Sequence, residues 1–181
     1  MLTGRGIAYA PRNGALVAIV VAVERTSGRY RVTRFSVAHD CGLVVNPLSL
    51  KGTIEANLIQ AMSRAMHEQV RFDATRVLSV DWQTYPIVDM TEVPDAIDIV
   101  LLNNRPDAVS RGAGEPASRP TVAAIANALY DATGVRLRRV PFTFDALKAA
   151  LAQRNQPPGN TSDLTTTGTA PDPASSAPMS T

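Results

Sequence analysis

The feature that most constrains the fold is the order in which the hydrophobic patterns change along the chain. Three strand-like segments, GIAYA, ALVAIVVAVE and RYRVTRFSVA, come first. They run apolar or alternate apolar with polar residues, as buried and half-buried strands do. Helical patterns and further strand-like segments follow, without a strict strand–helix–strand rhythm. This order favours an α+β fold in which two main helices accompany a mixed sheet.

Two segments carry clear helical patterns. The first has apolar residues at spacings of three and four, which predict one buried helix face ending at about Gln69. These residues are Ile54, Leu58, Ala61, Met62 and Ala65. In the second segment, Ser118 is the expected N-cap, Pro120 lies in the expected first turn, and Gly134 is the expected left-handed residue that ends the helix.

The remaining segments set the limits of the domain. AIDIVLL and VRLRRV predict two further strands, and FDALKAAL predicts a short closing helix. From residue 153 onward the chain is rich in Pro, Thr, Ser and Gly and almost lacks large apolar residues. Such a segment buries too little surface to offset its ordering entropy. We therefore expect one domain over residues 1–152 and a disordered tail over residues 153–181.

Composition excludes several classes of function. The net charge is +2, and the basic residues are scattered rather than grouped with aromatic residues, so nucleic-acid binding is not expected. One cysteine, Cys41, and two histidines, His39 and His67, provide no zinc or iron–sulfur ligand set. The longest apolar run, Ala15 to Val23, is nine residues and too short to span a membrane. The N-terminal residues lack the apolar core of a signal peptide, and the sequence does not identify a compartment.

The segment RGAGEPASRP places a single carboxylate, Glu115, on backbone with few side chains, just ahead of the second helix. Three interpretations are open. The segment is a loop with a solvated glutamate, or a dinucleotide-binding fingerprint formed by Gly112, Gly114 and Ala117, or a catalytic base that a ligand can approach closely. The polar NNRPDAVSR before Gly112 and the stiffening Pro116 argue against the fingerprint, which needs a glycine directly after a buried strand.

Five motifs follow one another in an order that is informative as a set. HDCGLVVNP is followed by GTIEANLIQAMSRAMHE, DWQTYP, GAGEP and AAIANALYDATGVRLRRVPF. In this order and spacing the sequence resembles the C-terminal part of the large, molybdopterin-binding subunit of the xanthine dehydrogenase and aldehyde oxidase family. The bacterial branch that includes isoquinoline 1-oxidoreductase is the most similar. The resemblance covers essentially everything before the tail.

The resemblance implies a molybdenum hydroxylase that oxidises an aldehyde or an N-heterocycle with water as the oxygen source. The family's Gly-x-Gly-Glu-Pro element supplies the active-site glutamate, and Glu115 matches it. Gly112, Ala113 and Gly114 are expected to let the backbone approach the cofactor, a molybdenum–molybdopterin cytosine dinucleotide. Thr53 is the fourth expected cofactor residue, although the family often has a glutamine there. A catalytic carboxylate needs a raised proton affinity, and we expect partial burial to provide it.

The same resemblance implies partner subunits, and an alternative, non-catalytic function remains open. Asp40, Gly42, Asn46 and Pro47 match the family's D-x-G-x-x-x-N-P turn, which we interpret as structural. Family subunits are several times longer, so the implied partners are the upstream portion of the large subunit, an iron–sulfur small subunit and a cytochrome c. The isolated chain is expected to be inactive because half a cofactor site cannot fix the metal's geometry. The alternative is a non-catalytic remnant or interaction module of the same fold with exposed apolar surface.

Overall fold

The computed structural model describes residues 1–10, 15–23, 28–102, 105 and 107–155, with residues 15–23 described by their backbone alone. Four strands and three helices form in this part of the chain. They are β1 (Leu2–Ala10), β2 (Ala15–Val23), β3 (Tyr30–His39), α1 (Pro47–Met66), β4 (Ala96–Leu101), α2 (Gly114–Thr133) and α3 (Phe144–Arg154). The described part of the chain has no helix that is both long and apolar enough to cross a bilayer.

The strands form one mixed sheet in the order β1-β2-β3-β4. β1 pairs with β2 and β2 with β3 in antiparallel fashion, whereas β4 lies parallel to β3. A bulge interrupts the β2–β3 register between Val20 and Val21. The predicted α+β class, the mixed sheet and the two main helices are confirmed.

The hydrophobic core lies between one face of the sheet and the two long helices. The apolar face predicted for the first helix is buried, and it packs against buried residues of β3 and α2. The largest apolar side chains that are completely buried in this core are Phe35, Ile54, Leu58, Met62, Ile125, Leu129 and Leu147. Ile97, Ile99 and Leu101 of β4 are half-buried against the same cluster, as expected from their alternation.

Two glycines of β1 allow α2 to lie directly on the sheet. A Cβ atom built on Gly4 would lie 2.2 Å from the carbonyl oxygen of Ala128, and one on Gly6 would lie 2.1 Å from that of Ala124. These distances are far inside van der Waals contact, so no larger residue fits without a shift of the helix. β1 begins at Leu2, earlier than the predicted segment GIAYA. The first residues of the strand show no apolar alternation, because the core-facing positions there are occupied by glycines.

The predicted start of the second helix is wrong. α2 begins at Gly114, and Ser118 lies in its second turn, where the Ser118 hydroxyl donates to the Glu115 carbonyl at 3.1 Å. Pro116 occupies the first turn, where the missing N–H costs nothing because the first four amides of a helix have no intrahelical acceptor. Pro120 lies inside the helix, buried, and was mistaken for that first-turn proline.

The predicted strand VRLRRV is also wrong. The segment that follows Gly134 has no strand partner among the described residues, although Val135 is buried and Leu137 packs partly against the core. The alternation of apolar and basic residues is therefore satisfied by side-chain packing, without backbone pairing. The closing helix is confirmed, and it extends to Arg154, so the first residues of the predicted tail are helical; residues 156–181 lie outside the described residues.

Glycine substitutions should separate packing requirements from local propensity. Gly6→Ala should lower the free energy of unfolding by about 1–3 kcal/mol, because its Cβ would push against the α2 backbone. Gly52 lies inside α1, and a Cβ there would meet nothing within 4 Å. Gly52→Ala should therefore raise stability by about 0.5–1 kcal/mol. Urea unfolding of the two variants tests this; the same sign for both would contradict the assigned packing.

Candidate functional site

The segment after β3 turns sharply and leads into α1. The Asp40 carboxylate accepts a hydrogen bond from the Gly42 amide at 2.9 Å, and Gly42 adopts a φ of 75°. A Cβ on Gly42 would lie 2.4 Å from the Val109 carbonyl oxygen, so the chain just before α2 passes directly over this turn. The Arg111 amide donates to the Cys41 carbonyl at 2.8 Å and fixes the two segments together.

The end of the same turn caps α1. The Asn46 side chain accepts from the Ser49 amide at 3.0 Å, and Pro47 is the first helical residue. Asparagine is favoured as an N-cap because its side chain accepts a hydrogen bond from a free amide of the first turn. Proline is favoured as the first helical residue because the amide hydrogen that it lacks would have no acceptor within the helix. The structural interpretation of the D-x-G-x-x-x-N-P motif agrees with this geometry.

Positive charge surrounds the Asp40 carboxylate. The Gly42 amide is the largest cause that holds its pKa below the usual range, followed by Arg105, whose guanidinium lies 2.5 Å away, and by Arg111. The turn is therefore stabilised by the ionised carboxylate. His39, immediately before it, is buried, and neither ring nitrogen has a hydrogen-bond partner among the described residues. Burial lowers the pKa of this imidazole and so favours its neutral form.

The backbone ahead of α2 is open to an approaching ligand. Ala113 is the N-cap and has no side-chain acceptor, and among the described residues the amides of Gly112, Ala113 and Gly114 have no acceptor either. A Cβ on Gly112 would meet nothing within 4 Å, so this glycine is not required by packing within the described chain. Unpaired amides at a helix N-terminus favour an anionic group.

Gly114 differs from Gly112 because it contacts α1. A Cβ on Gly114 would lie 2.6 Å from the amide nitrogen of Asn57. That same nitrogen donates to the Thr53 carbonyl at 2.9 Å. Asn57 therefore links the two predicted cofactor segments, and its role was not anticipated from the sequence.

Thr53 borders a shallow cleft of about 210 Å³ between the start of α1 and the approach to α2. The Thr53 hydroxyl donates to the Ser49 carbonyl at 3.0 Å, so its oxygen remains free to accept while its proton is committed. Arg111 and Ser110 form the opposite side of the cleft. The structure thus brings Thr53 close to the segment that precedes α2.

Glu115 lies in the first turn of α2, but the expected partial burial is not found in this chain. Its side chain is 81% exposed, and the carboxylate pairs with Arg119 one turn later at 3.0 Å. The reason is local: the second residue of this helix points away from the sheet, and nothing in the described chain covers it. Among the described residues, no three His, Cys, Asp or Glu side chains are grouped so that they could hold a metal ion.

The sequence did not point to two residues near Thr53: Arg111, which lines the cleft, and Gly52, the neighbour of Thr53 in α1. Gly52 is exposed in the interior of α1 next to Thr53, where alanine would favour the helix more. A glycine inside a helical pattern is a signal that sequence reasoning can use, since it often has a packing or functional reason. Arg111 gave no such signal, because only the fold brings it to the cleft.

The contact between the two helices predicts coupling between Gly114 and Asn57. Gly114→Ala should cost about 1 kcal/mol of stability, because its methyl group must displace the Asn57 side chain from its hydrogen bond. In an Asn57→Ala background the cost should vanish, since the clash is removed. Urea unfolding of the wild type, both single variants and the double variant measures the coupling. Additive effects would show that the two residues do not meet.

The lowered pKa of Asp40 predicts that this carboxylate contributes to the free energy of unfolding in a pH-dependent way. Its folded-state pKa lies below the ordinary value of 3.8, so the contribution is fully present above that pH and is lost as the pH falls through the folded-state value. Asp40→Asn should therefore destabilise the protein at about pH 7, and the difference from the wild type should shrink toward about pH 2. Urea unfolding across this range is the measurement. A difference that stays constant with pH would assign the effect to hydrogen-bond geometry and not to charge.

Comparison with known proteins places the chain in a family. The sequence model of the molybdopterin cofactor-binding domain matches residues 3–94. A subunit of nicotinate dehydrogenase from Pseudomonas putida is 43% identical over 168 residues, which are 87% of this chain and 14% of that protein. The beta subunit of isoquinoline 1-oxidoreductase from Brevundimonas diminuta is 32% identical over 150 residues, 82% of this chain and 18% of that protein.

The fold gives the same result. The crystal structure of quinoline 2-oxidoreductase from Pseudomonas putida 86 matches 80% of this chain and 19% of its own, with a TM-score of 0.71 and 27% identity. The chain therefore spans less than a fifth of the length of these relatives. It belongs to the molybdopterin cofactor-binding domain family, within the xanthine dehydrogenase and aldehyde oxidase family that its ordered motifs predicted.

Proposed function

We propose that this chain forms the C-terminal part of the active site of a molybdenum hydroxylase, with Glu115 as the catalytic base. The observation that carries the proposal is the position of the GAGEP motif: it starts α2, where Glu115 is exposed beside amides that have no acceptor among the described residues. The substrate we propose is an N-heterocycle, with an aldehyde as the second candidate. Two similar proteins are named for nicotinate and isoquinoline, both of which contain a ring nitrogen.

The residues present fit a pterin group that carries phosphates. The amides of residues 112–114, which have no acceptor in the described part of the chain, and the guanidinium of Arg111 favour anionic oxygens. A Cβ atom on Gly52 or Gly112 would meet nothing within 4 Å in the described chain, and the Thr53 hydroxyl oxygen is free to accept a hydrogen bond. We propose these residues as this chain's share of the site for the cytosine dinucleotide form of the cofactor. When bound, the molybdenum–pterin group supplies the redox chemistry.

Glu115 would act by holding and releasing a proton. A carboxylate that is covered by another chain loses water, which disfavours its charged form and makes it a stronger base. In this chain alone the carboxylate is exposed and held by Arg119. The base is therefore incomplete until a partner covers it, and we expect the isolated chain to be inactive.

The partners we propose follow from the missing parts of the site. The upstream portion of the large subunit would complete the cofactor site and shape the substrate pocket. An iron–sulfur subunit would remove electrons, and a cytochrome c would accept them later; the relatives are named as subunits of larger assemblies, which supports this arrangement.

A Glu115→Gln variant tests the catalytic assignment. The chain is co-produced with an iron–sulfur subunit and with the matching Pseudomonas putida nicotinate dehydrogenase subunit, from which the aligned segment has been removed. Molybdenum content and substrate-dependent dye reduction are measured with nicotinate and with benzaldehyde. Glu115→Gln should retain the metal and lose turnover by roughly 100-fold or more, because a positioned base contributes that much. Arg119→Gln is the matched control and should keep most of the activity.

Two outcomes would overturn the proposal. If Glu115→Gln turns over as fast as the wild type, Glu115 is a solvated residue of the first turn of α2 and not a base. If wild-type chain retains no molybdenum in the assembly, the chain is a non-catalytic interaction module of the same fold. The exposed apolar side chains of the molecule are the observation that favours this second candidate.

A further inference from the structure

The face of the sheet opposite α1 and α2 is uncovered by any described element. Gly4 and Gly6 of β1 face α2, so their neighbours along the strand point to the other side. Among these neighbours, Ile7 is 56% exposed and Tyr9 is 59% exposed. On β4, Val100 is 58% exposed, whereas Ile99 and Leu101 on either side of it pack toward the core. This open face therefore carries large apolar side chains.

These residues lie together because of the strand register. Tyr9 pairs with Leu16, Leu16 with Ala38, and Ala38 with Val100, so one row crosses the whole sheet from edge to edge. Ile7 is two residues before Tyr9 on the same side of β1. We refer to Ile7, Tyr9, Ala38 and Val100 as the apolar sheet end.

The other half of the same face is suited to water. Arg34 of β3 pairs with Asp98 of β4 at 2.6 Å, and Arg31 pairs with Asp95 at 2.5 Å. A sheet with one solvated face normally keeps that face polar along its whole length. The charged half of the face is polar, as expected, whereas the apolar sheet end is not. This difference within one face indicates that another protein surface covers the apolar sheet end and excludes water from it.

The apolar sheet end adjoins the candidate site. β1, β3 and β4 run in the same direction, so their C-terminal ends lie side by side at one end of the strands. At this end β3 leads into the turn at Asp40. Leu102 and Val109, both exposed, extend the apolar surface from this end toward the cleft. The Leu102 amide bonds to the His39 carbonyl at 2.8 Å, and the Val109 carbonyl lies against Gly42.

We propose that the apolar sheet end is the docking surface for the rest of the large subunit. The occupant follows from length and position: the matching relative contains far more chain than the 14% aligned here, and the surface is continuous with the edge of an incomplete site. A chain seated on the apolar sheet end is also placed to cover the approach to α2. This inference rests on the proposed function, but it concerns assembly and not chemistry.

The test is a charge substitution within the same co-produced assembly. Tyr9→Lys and Val100→Lys are combined in one chain, and the control combines Val80→Lys and Met90→Lys, which are 73% and 87% exposed outside the sheet. Both variants add two positive charges and remove two exposed apolar groups. All four positions are exposed, so both variants should fold; unchanged circular dichroism and melting temperature confirm this.

The measurements are the amount of chain that co-purifies with the tagged remainder of the nicotinate dehydrogenase subunit, and hydrogen exchange of β1 and β4 in the assembly and in the chain alone. We expect the sheet variant to be retained at least about tenfold less than the wild type, with the control unchanged. In the wild-type assembly, β1 and β4 should exchange more slowly than in the chain alone.

Three results would overturn the docking proposal: equal retention of the sheet variant, no retention of the wild type, or a homodimer of the wild type that the sheet substitutions abolish. The last would make a second copy of this chain the occupant. Glu115→Gln should be retained as the wild type is, so a failure of docking and a failure of the catalytic assignment give different results. Retention of the sheet variant decides the docking proposal, whereas turnover of Glu115→Gln decides the catalytic assignment.

Discussion

The arrangement of this molecule depends on the close approach of α2 to β1. Hydrogen atoms in place of side chains at Gly4 and Gly6 allow the carbonyl groups of α2 to lie almost on the strand. With α2 held there, α1 packs beside it, and Asn57 reaches the start of α2 at Gly114. The relative position of the two predicted cofactor segments therefore depends on two glycines of a strand remote from them in sequence.

Much of the fold follows from local patterns, and the exceptions have physical causes. Alternation and apolar runs were sufficient for the first three strands, β4 and the buried face of α1. The start of α2 was misplaced because Pro116 and Pro120 are four residues apart and only the fold shows which one is in the first turn. VRLRRV alternates as strands do, but alternation reports a half-buried extended segment and not the presence of a pairing strand.

The order of the motifs predicts which residues belong to a candidate site, but it does not predict how the structure arranges them. Motif order grouped Glu115 and residues 112–114 with Thr53 as a predicted site. In the structure Gly114 lies against Asn57 of α1, and Thr53 shares a cleft with Ser110 and Arg111, whereas residues 112–115 are not among the residues that line this cleft. The bridging side chain of Asn57 and the nearby guanidinium of Arg111 come from tertiary contacts that no spacing rule contains. The environment of Glu115 could not be derived either, because a carboxylate's burial depends on every chain that surrounds it, and the relatives contain much more chain.

Cys41 gives the cleft a built-in chemical reporter. It is the sole cysteine of the sequence, it is buried next to the Asp40 turn, and burial raises the pKa of its thiol, so the reactive thiolate is scarce while the fold is closed. Its carbonyl accepts the hydrogen bond from the Arg111 amide, so the cysteine lies where the Asp40 turn meets the segment before α2. The rate at which a thiol reagent modifies the native chain therefore reports how often this corner opens, without any added label.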